Sequence, residues 1–157
     1  MRRIIWLIAI VVVVLLVGSL VDRPNFDLTP ANPAAGFDAQ LHPPQAVSDA
    51  LHKSCYNCHS TQGEIPWYAH VWPASVLVQN DIRQGRTYMD LSNWSNLSPE
   101  MSRIRLIDSC RMMKEAKMPP AIYRPLHPGA AQSAQEADAF CAWVNTQAAN
   151  PAIAALR

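Results

Sequence analysis

A five-residue motif at residues 55–59 constrains this chain more than any other feature of its sequence. The motif reads Cys55-Tyr56-Asn57-Cys58-His59. On a helix, positions i, i+3 and i+4 share one face, so both thiols and the imidazole are expected to point the same way. Two thioether bonds to the vinyl groups of a porphyrin, with an imidazole ligand to its iron, require this spacing. The motif therefore predicts one covalent c-type haem, attached through Cys55 and Cys58, with His59 as the proximal iron ligand.

Three other uses of a C-x-x-C motif fit this sequence less well. A thioredoxin-like redox motif would follow a strand of a βαβ unit, but residues 45–53 have a helical pattern and no Val/Ile-rich strand precedes Cys55. A structural zinc site could use Cys55, Cys58 and His59, but no second Cys/His pair at finger spacing follows. A disulfide between the two cysteines would leave His59 unexplained.

The N-terminus predicts a membrane segment. Residues 4–17 are an unbroken apolar run, and Gly18-Ser19-Leu20-Val21 extends it. As a helix, residues 4–21 would span roughly 27 Å, close to the ~30 Å hydrocarbon core of a bilayer. Arg2 and Arg3 precede the run, which predicts a cytoplasmic N-terminus. We interpret residues 1–21 as an uncleaved transmembrane anchor, with a cleaved signal peptide as the alternative. Either interpretation places the rest of the chain outside the cytoplasm, where disulfides persist.

Composition divides the remaining sequence into a linker and one domain. The formal net charge of +1 predicts no nucleic-acid partner. Residues 22–44 are rich in proline, which predicts either a semi-rigid extended spacer or disordered chain. Residues 45–157 then form the predicted haem domain. The prolines of the linker are Pro24, Pro30, Pro33, Pro43 and Pro44.

The domain has helical patterns and no internal repeat, which predicts an all-α, cytochrome-c-like fold around a single haem. Ser98 and Pro99 are a typical N-cap and first residue, and Ser133 with Glu136 forms a capping box. An apolar stripe of Met101, Ile104 and Ile107 is expected on the longest helix. Gly85 is expected to end the helix that begins at Pro73. The predicted helices cover residues 45–60, 73–85, 98–117 and 133–149.

One feature of the domain remains open from the residues alone, and a second is a direct expectation. Cys110 and Cys141 form either a disulfide between the last two helices or two buried thiols. Four aromatic residues are expected to line the haem pocket and to keep it dry. These aromatic residues are Trp67, Tyr68, Trp72 and Trp94.

Met118 is the predicted distal iron ligand. It follows the longest helix and precedes Pro119 and Pro120, which fix φ and stiffen the loop. A methionine sulfur would favour the ferrous state and raise the reduction potential. His127, in a turn before a Pro-Gly pair, is the main rival and would give a bis-histidine site of lower potential. Weaker rivals are His42, His52 and His70.

With these residues identified, the chain resembles a family of small, membrane-anchored bacterial haem-binding domain proteins over roughly residues 44–144. Besides C-x-x-C-H, the more particular matches are Ile65-Pro66-Trp67-Tyr68 and Leu126-His127-Pro128. The resemblance implies one covalent haem held by Cys55 and Cys58, with His59 as proximal ligand. It also places Met118 where such proteins carry a methionine. Further matching segments are 81–86, 91–94, 118–120, Tyr123 and 142–143.

Two functions from different classes follow from these expectations. The first is a single-pass cytochrome in the bacterial inner membrane, with its haem domain in the periplasm and no catalytic role of its own. Its expected partners are the membrane, the haem-attachment machinery and unidentified redox donor and acceptor proteins. The alternative is a haem peroxidase or a gas or redox sensor with an open or displaceable distal position. That alternative would need distal groups such as His70, His127 or Arg83.

Overall fold

The computed structural model describes residues 1–148, and this part of the chain is all-helical without a strand. This confirms the predicted fold class. Short 3-10 helices at 33–35, 67–70, 94–96, 124–126 and 128–130 connect the longer elements. The α-helices are α1 (Arg2–Val21), α2 (Phe37–Leu41), α3 (Gln45–Ser54), α4 (Tyr56–His59), α5 (Ala74–Tyr88), α6 (Pro99–Lys114) and α7 (Ala134–Ala148).

Among the helices that the structure describes, α1 alone is long and apolar enough to cross a membrane, and none of its residues is buried. An N-terminal signal sequence would pass the same test of length and composition. The structure therefore agrees with a membrane segment at residues 1–21 but leaves both interpretations of it possible.

The helix predicted over residues 45–60 is interrupted at Cys55. Helix α3 ends at Ser54, and Cys55 has φ −117° and ψ −37°, outside the usual helical φ. Helix α4 then runs from Tyr56 to His59. The prediction of one continuous helix is thus wrong at one residue, and the side chain of Tyr56 that follows the break is buried.

The ends of α5 and α6 also differ from the predictions. Helix α5 continues past Gly85 to Tyr88, so Gly85 is not a stop signal. Helix α6 begins at Pro99 as predicted, and the Ser98 hydroxyl accepts a hydrogen bond from the Met101 amide. It ends at Lys114, before the predicted end, because Ala116 has φ +50° and the chain reverses there.

The capping box predicted at the start of α7 is confirmed. The Glu136 carboxylate accepts a hydrogen bond of 2.7 Å from the Ser133 amide, and the Ser133 hydroxyl accepts one of 3.2 Å from the Glu136 amide. The last turn of the helix predicted over 133–149 reaches Ala148, and Ala149 lies outside the described residues.

The main core forms where α2, α3, α6 and α7 meet. Phe37, Leu51, Leu106 and Phe140 are almost fully buried there. The Phe37 ring packs edge-on against Trp94, with ring centroids 4.8 Å apart. Although Phe37 belongs to the segment predicted as a linker, it contributes one of the largest side chains of the core.

The buried stripe of α6 is not the predicted one. Its buried residues are Ser102, Leu106 and Met113, whereas Ile107 is exposed. Ser102 faces inward because its hydroxyl accepts a hydrogen bond of 3.0 Å from the indole nitrogen of Trp94. The spacing of apolar residues could not predict this register, because the polar residue Ser102 lies on the core face.

A disulfide joins Cys110 of α6 to Cys141 of α7, with Cα atoms 5.1 Å apart. Of the two alternatives that the sequence left open, the structure therefore has the bridge. It fixes α6 against α7, the two longest helices that build the core.

Candidate functional site

The three motif residues lie on one turn of helix. The carbonyl oxygen of Cys55 accepts hydrogen bonds from the amides of Cys58 (3.2 Å) and His59 (2.9 Å). Cys55 and Cys58 are unbridged thiols, since neither takes part in a disulfide. The structure thus gives the motif the helical geometry that attachment of both thiols to one porphyrin edge would need.

The orientation of the His59 imidazole is set by a backbone carbonyl. His59 Nδ1 lies 3.0 Å from the carbonyl oxygen of Met89, just after α5. A carbonyl only accepts hydrogen bonds, so Nδ1 carries the proton and Nε2 keeps its lone pair. Burial lowers the pKa of His59, although the carbonyls of Met89 and Gly85 oppose this change. The result is a neutral imidazole with Nε2 available to a metal, and such outer hydrogen bonds typically orient metal-bound histidines.

Gly85 allows this close packing between α4 and α5. A Cβ atom at position 85 would lie 3.3 Å from the Cys58 carbonyl oxygen and 3.3 Å from Cε1 of His59. The absence of a side chain therefore lets α5 approach the motif. The sequence pattern predicted Gly85 at a helix end, but a glycine suits this position because α4, distant in sequence, packs against it.

The two thiols border different apolar clusters. Cys55 packs against the main core, and Cys58 packs against a second cluster formed by Phe26, Ala69 and Ile82. Burial raises the pKa of Cys55 to about 12 and, with help from the nearby Asp81 carboxylate, that of Cys58 to about 11. Redox-active C-x-x-C motifs have lowered thiol pKa values, so this environment argues against the thioredoxin-like alternative.

The described residues also supply no zinc ligand set at the motif. Among residues 1–148, no group of three or more His, Cys, Asp or Glu side chains is placed to hold a metal ion. Zinc would need its ligands around one point. A haem needs only the imidazole at the metal, with the thiols at the porphyrin edge, and the residues on this turn fit that group.

Two hydrogen-bond networks hold the residues between the cysteines, and no sequence pattern indicated either network. The Tyr56 hydroxyl donates to Asp38 of α2, which also accepts from Ser48 (2.7 Å) and pairs with His52 (2.8 Å) of α3. Asp38 lies in the segment predicted as a linker. Its partners are distant in sequence, so only the fold shows that this carboxylate orients α4.

The second network contains His127, the main rival to Met118. The side-chain Nδ2 of Asn57 donates a 3.0 Å hydrogen bond to the Tyr123 hydroxyl, and the Tyr123 ring stacks on His127 with centroids 3.9 Å apart. Nε2 of His127 lies 2.8 Å from the Tyr68 hydroxyl. His127 is therefore near the motif, but its imidazole is held between two tyrosines.

Met118 lies in a loop that is fastened to the end of α6. The amides of Lys117 and Met118 both donate to the carbonyl of Met112, at 2.9 Å and 3.3 Å. Pro119 is buried, whereas the Met118 side chain is 40% exposed. The backbone at this position is thus fixed, and the assignment of the thioether as distal ligand stays a prediction.

The four aromatic residues expected to line one pocket do not form one group. Trp94 lies in the main core. Trp72 packs against Gly18 of α1. Trp67 and Tyr68 make an edge-on pair with centroids 5.9 Å apart, and Trp67 is largely exposed. Trp67, Tyr68 and Trp72 are close in sequence, but the turn between residues 67 and 72 separates Trp72 from the other two in space.

Comparison with protein families identifies the chain. The family model of the haem-binding domain matches residues 11–146, so the chain belongs to this family and haem is its cofactor. The match confirms the resemblance found in the sequence and includes much of α1 and all of residues 22–44. Comparisons with curated proteins and with solved structures gave no match.

Proposed function

We propose that this protein is a membrane-anchored monohaem c-type cytochrome that transfers single electrons on the periplasmic side of the bacterial inner membrane. The observation that carries the proposal is the hydrogen bond from His59 Nδ1 to the Met89 carbonyl, at the end of the helical turn that carries the unbridged cysteine pair. This contact leaves Nε2 available, which supports its role as the proposed proximal iron ligand. Bound haem would supply one-electron redox chemistry, and the chain's residues would hold and orient it.

Covalent attachment is proposed through Cys55 and Cys58. Both thiols are unbridged and each borders an apolar cluster, which suits a large apolar group between them. Their raised pKa values make them weak nucleophiles at neutral pH. Attachment by a dedicated haem-attachment machinery fits this property.

Met118 is proposed as the distal ligand. Hydrogen bonds from the amides of Lys117 and Met118 to the Met112 carbonyl fix the backbone here, which supports a thioether held in one position. His127 is less suited, because Tyr68 and Tyr123 already engage its ring. Ligands on both sides of the iron would leave no position for a substrate, which favours an electron carrier over an enzyme. A methionine ligand would also raise the reduction potential.

The proposed location is supported by α1 and by the disulfide. Arg2 and Arg3 before the apolar segment favour a cytoplasmic N-terminus, which puts the haem domain in the periplasm. The Cys110–Cys141 disulfide is consistent with an oxidising compartment. Redox donors and acceptors at the membrane would then be its partners.

Visible spectroscopy of the full chain, matured in a host with haem-attachment machinery, tests the proposal. We expect haem to remain with the denatured chain on a gel, and a low-spin spectrum with a sulfur-to-iron charge-transfer band. That band should vanish in Met118→Ala and persist in His127→Ala. A bare polypeptide by mass spectrometry would overturn covalent attachment. High-spin resting haem, or unchanged coordination in Met118→Ala, would overturn the distal assignment, and peroxide turnover by the wild type would favour the enzyme alternative.

A further inference from the structure

The chain that follows α1 is fastened along α5 rather than left as a free tether. Three side chains of α5 donate hydrogen bonds to it, at distances of 2.5–3.0 Å. Their order along α5 matches the order of the acceptors, so residues 22–27 run parallel to the helix. The contacts are Ser75 to the Asp22 carboxylate, Gln79 to the Asn25 carbonyl, and Arg86 to the carbonyls of Phe26 and Asp27.

Trp72 contacts α1 itself, within its last turn. The Trp72 amide donates a hydrogen bond of 2.9 Å to the Ser19 hydroxyl. The indole packs so closely on Gly18 that a Cβ there would lie 2.7 Å from Cδ2 of Trp72. Gly18 lies about 4.5 Å along the helix axis from Val21, the last residue of α1. Trp72 is therefore at the level of the final turn of α1.

From these contacts we propose that the haem domain lies directly on the bilayer, with Trp72, Val71 and Val76 in the interfacial lipid layer. The inference rests on the proposed anchoring by α1. With α1 spanning the membrane, a side chain level with its last turn lies at the boundary of hydrocarbon and headgroups. Tryptophan is enriched at this depth. Val71 directly precedes Trp72, Val76 lies in the first turn of α5, and the two are 36% and 46% exposed.

The position of Val76 on α5 separates this surface from the haem site. About two and a half turns lie between Val76 and Gly85, so the two residues are on opposite faces of α5. Gly85 is the residue that contacts His59. Lipid, rather than haem, is therefore the occupant that suits the Val76 face, and the motif is held on the side of α5 away from the membrane.

Site-specific photo-crosslinking of the full-length holoprotein in vesicles of phosphatidylethanolamine and phosphatidylglycerol tests this docking. The probe is p-benzoylphenylalanine, placed singly at Val71 or Val76. Ile107 on α6 and Ile122 are matched exposed aliphatic controls, at 44% and 76% exposure. A probe placed at Leu16, in α1, reports whether this helix is in the bilayer. We expect lipid adducts from probes at Leu16, Val71 and Val76, and no lipid adducts from probes at Ile107 and Ile122.

The possible outcomes separate the docking from the anchoring. Adducts at Leu16 with Val71 and Val76 at the level of the controls would overturn the docking and leave the anchor intact. No adduct at Leu16 would overturn the anchoring, and the docking with it. Gly18→Leu, which forces the Trp72 indole away, should remove the Val76 adduct but keep the Leu16 adduct, whereas Val17→Leu should keep both. A Val76 adduct that persists in Gly18→Leu would overturn a docking fixed by this contact.

Discussion

The phenol of Tyr56 donates a hydrogen bond of 2.5 Å to the carboxylate of Asp38. The contact joins the residue after the first motif cysteine to α2. Because Asp38 also contacts Ser48 and His52, one carboxylate connects α2, α3 and α4. The orientation of the C-x-x-C-H turn therefore depends on a residue in the segment before the domain predicted from the sequence.

Asp38→Asn should lower the free energy of unfolding by about 1–3 kcal/mol at pH 7, because an amide cannot accept from all the donors that surround this position. Burial raises the pKa of Asp38, but hydrogen bonds from Tyr56, Ser48 and His52 outweigh it and hold the pKa below the ordinary 3.8. The carboxylate therefore stabilises the fold fully above about pH 4 and loses this effect as the pH falls through its folded-state value. Urea denaturation at pH 7 and pH 3 should show the difference from wild type shrinking at the lower pH.

The control for this experiment is Asp49→Asn. Asp49 is exposed, and its carboxylate accepts a hydrogen bond of 2.7 Å from the Gln45 side chain, one turn earlier on α3. A change of less than about 0.5 kcal/mol is expected there. Equal effects of the two substitutions would contradict a structural role for the Asp38 network.

Phe37→Ala should lower the free energy of unfolding by about 3–5 kcal/mol, because it empties a fully buried aromatic site packed against Trp94 and Trp143. Leu28→Ala, in the same proline-rich segment but 47% exposed, should change it by less than about 0.5 kcal/mol. Chemical denaturation of the holoprotein measures both. If Phe37→Ala were as mild as Leu28→Ala, the domain would begin after residue 44, as predicted from composition.

Gly85→Val should disturb the His59 side of the site. A side chain at this position meets the Cys58 carbonyl and the His59 ring, so α4 and α5 must separate at a cost of about 1–3 kcal/mol. We expect a less stable holoprotein and a shifted reduction potential, measured by denaturation and by redox titration. Gly129→Val is the matched control, since a Cβ there meets nothing within 4 Å. An unchanged potential in Gly85→Val would show that the His59–Met89 contact does not depend on close helix packing.

Replacing both bridge cysteines, Cys110→Ser with Cys141→Ser, should cost about 3–4 kcal/mol. The bridge spans 31 residues, and closing a loop of this size constrains the unfolded chain by roughly that amount. Reductant should destabilise the wild type to a similar extent and leave the double variant unchanged in a denaturation experiment. Two reactive thiols in the unfolded, unreduced holoprotein would mean that the bridge is absent.

Local signals in the sequence predicted the parts of the structure that local chemistry decides. The capping box of Ser133 and Glu136, the N-cap at Ser98 and the helical C-x-x-C-H turn each need only neighbours within one turn. The resemblance to the haem-binding domain family, which the match over residues 11–146 confirms, also rested on short motifs.

Contacts between distant residues could not be predicted in this way. The carbonyl of Met89 that orients His59 and the approach of Gly85 to the motif depend on how α5 packs against α4. The predicted register of α6 was wrong because Ser102, a polar residue, faces the core and accepts a hydrogen bond from the Trp94 indole. No pattern of apolar spacing reports a partner of this kind.

The fastening of residues 22–27 along α5 leaves little slack between helix α1 and the haem domain. With α1 in the bilayer as proposed, the domain cannot swing outward on a flexible arm to meet another protein. If the protein transfers electrons as proposed, encounters would instead depend on lateral diffusion in the plane of the membrane, and on how far above the lipid a partner carries its own redox centre. A partner whose redox centre lies far from the lipid would then need a mobile carrier to reach this protein.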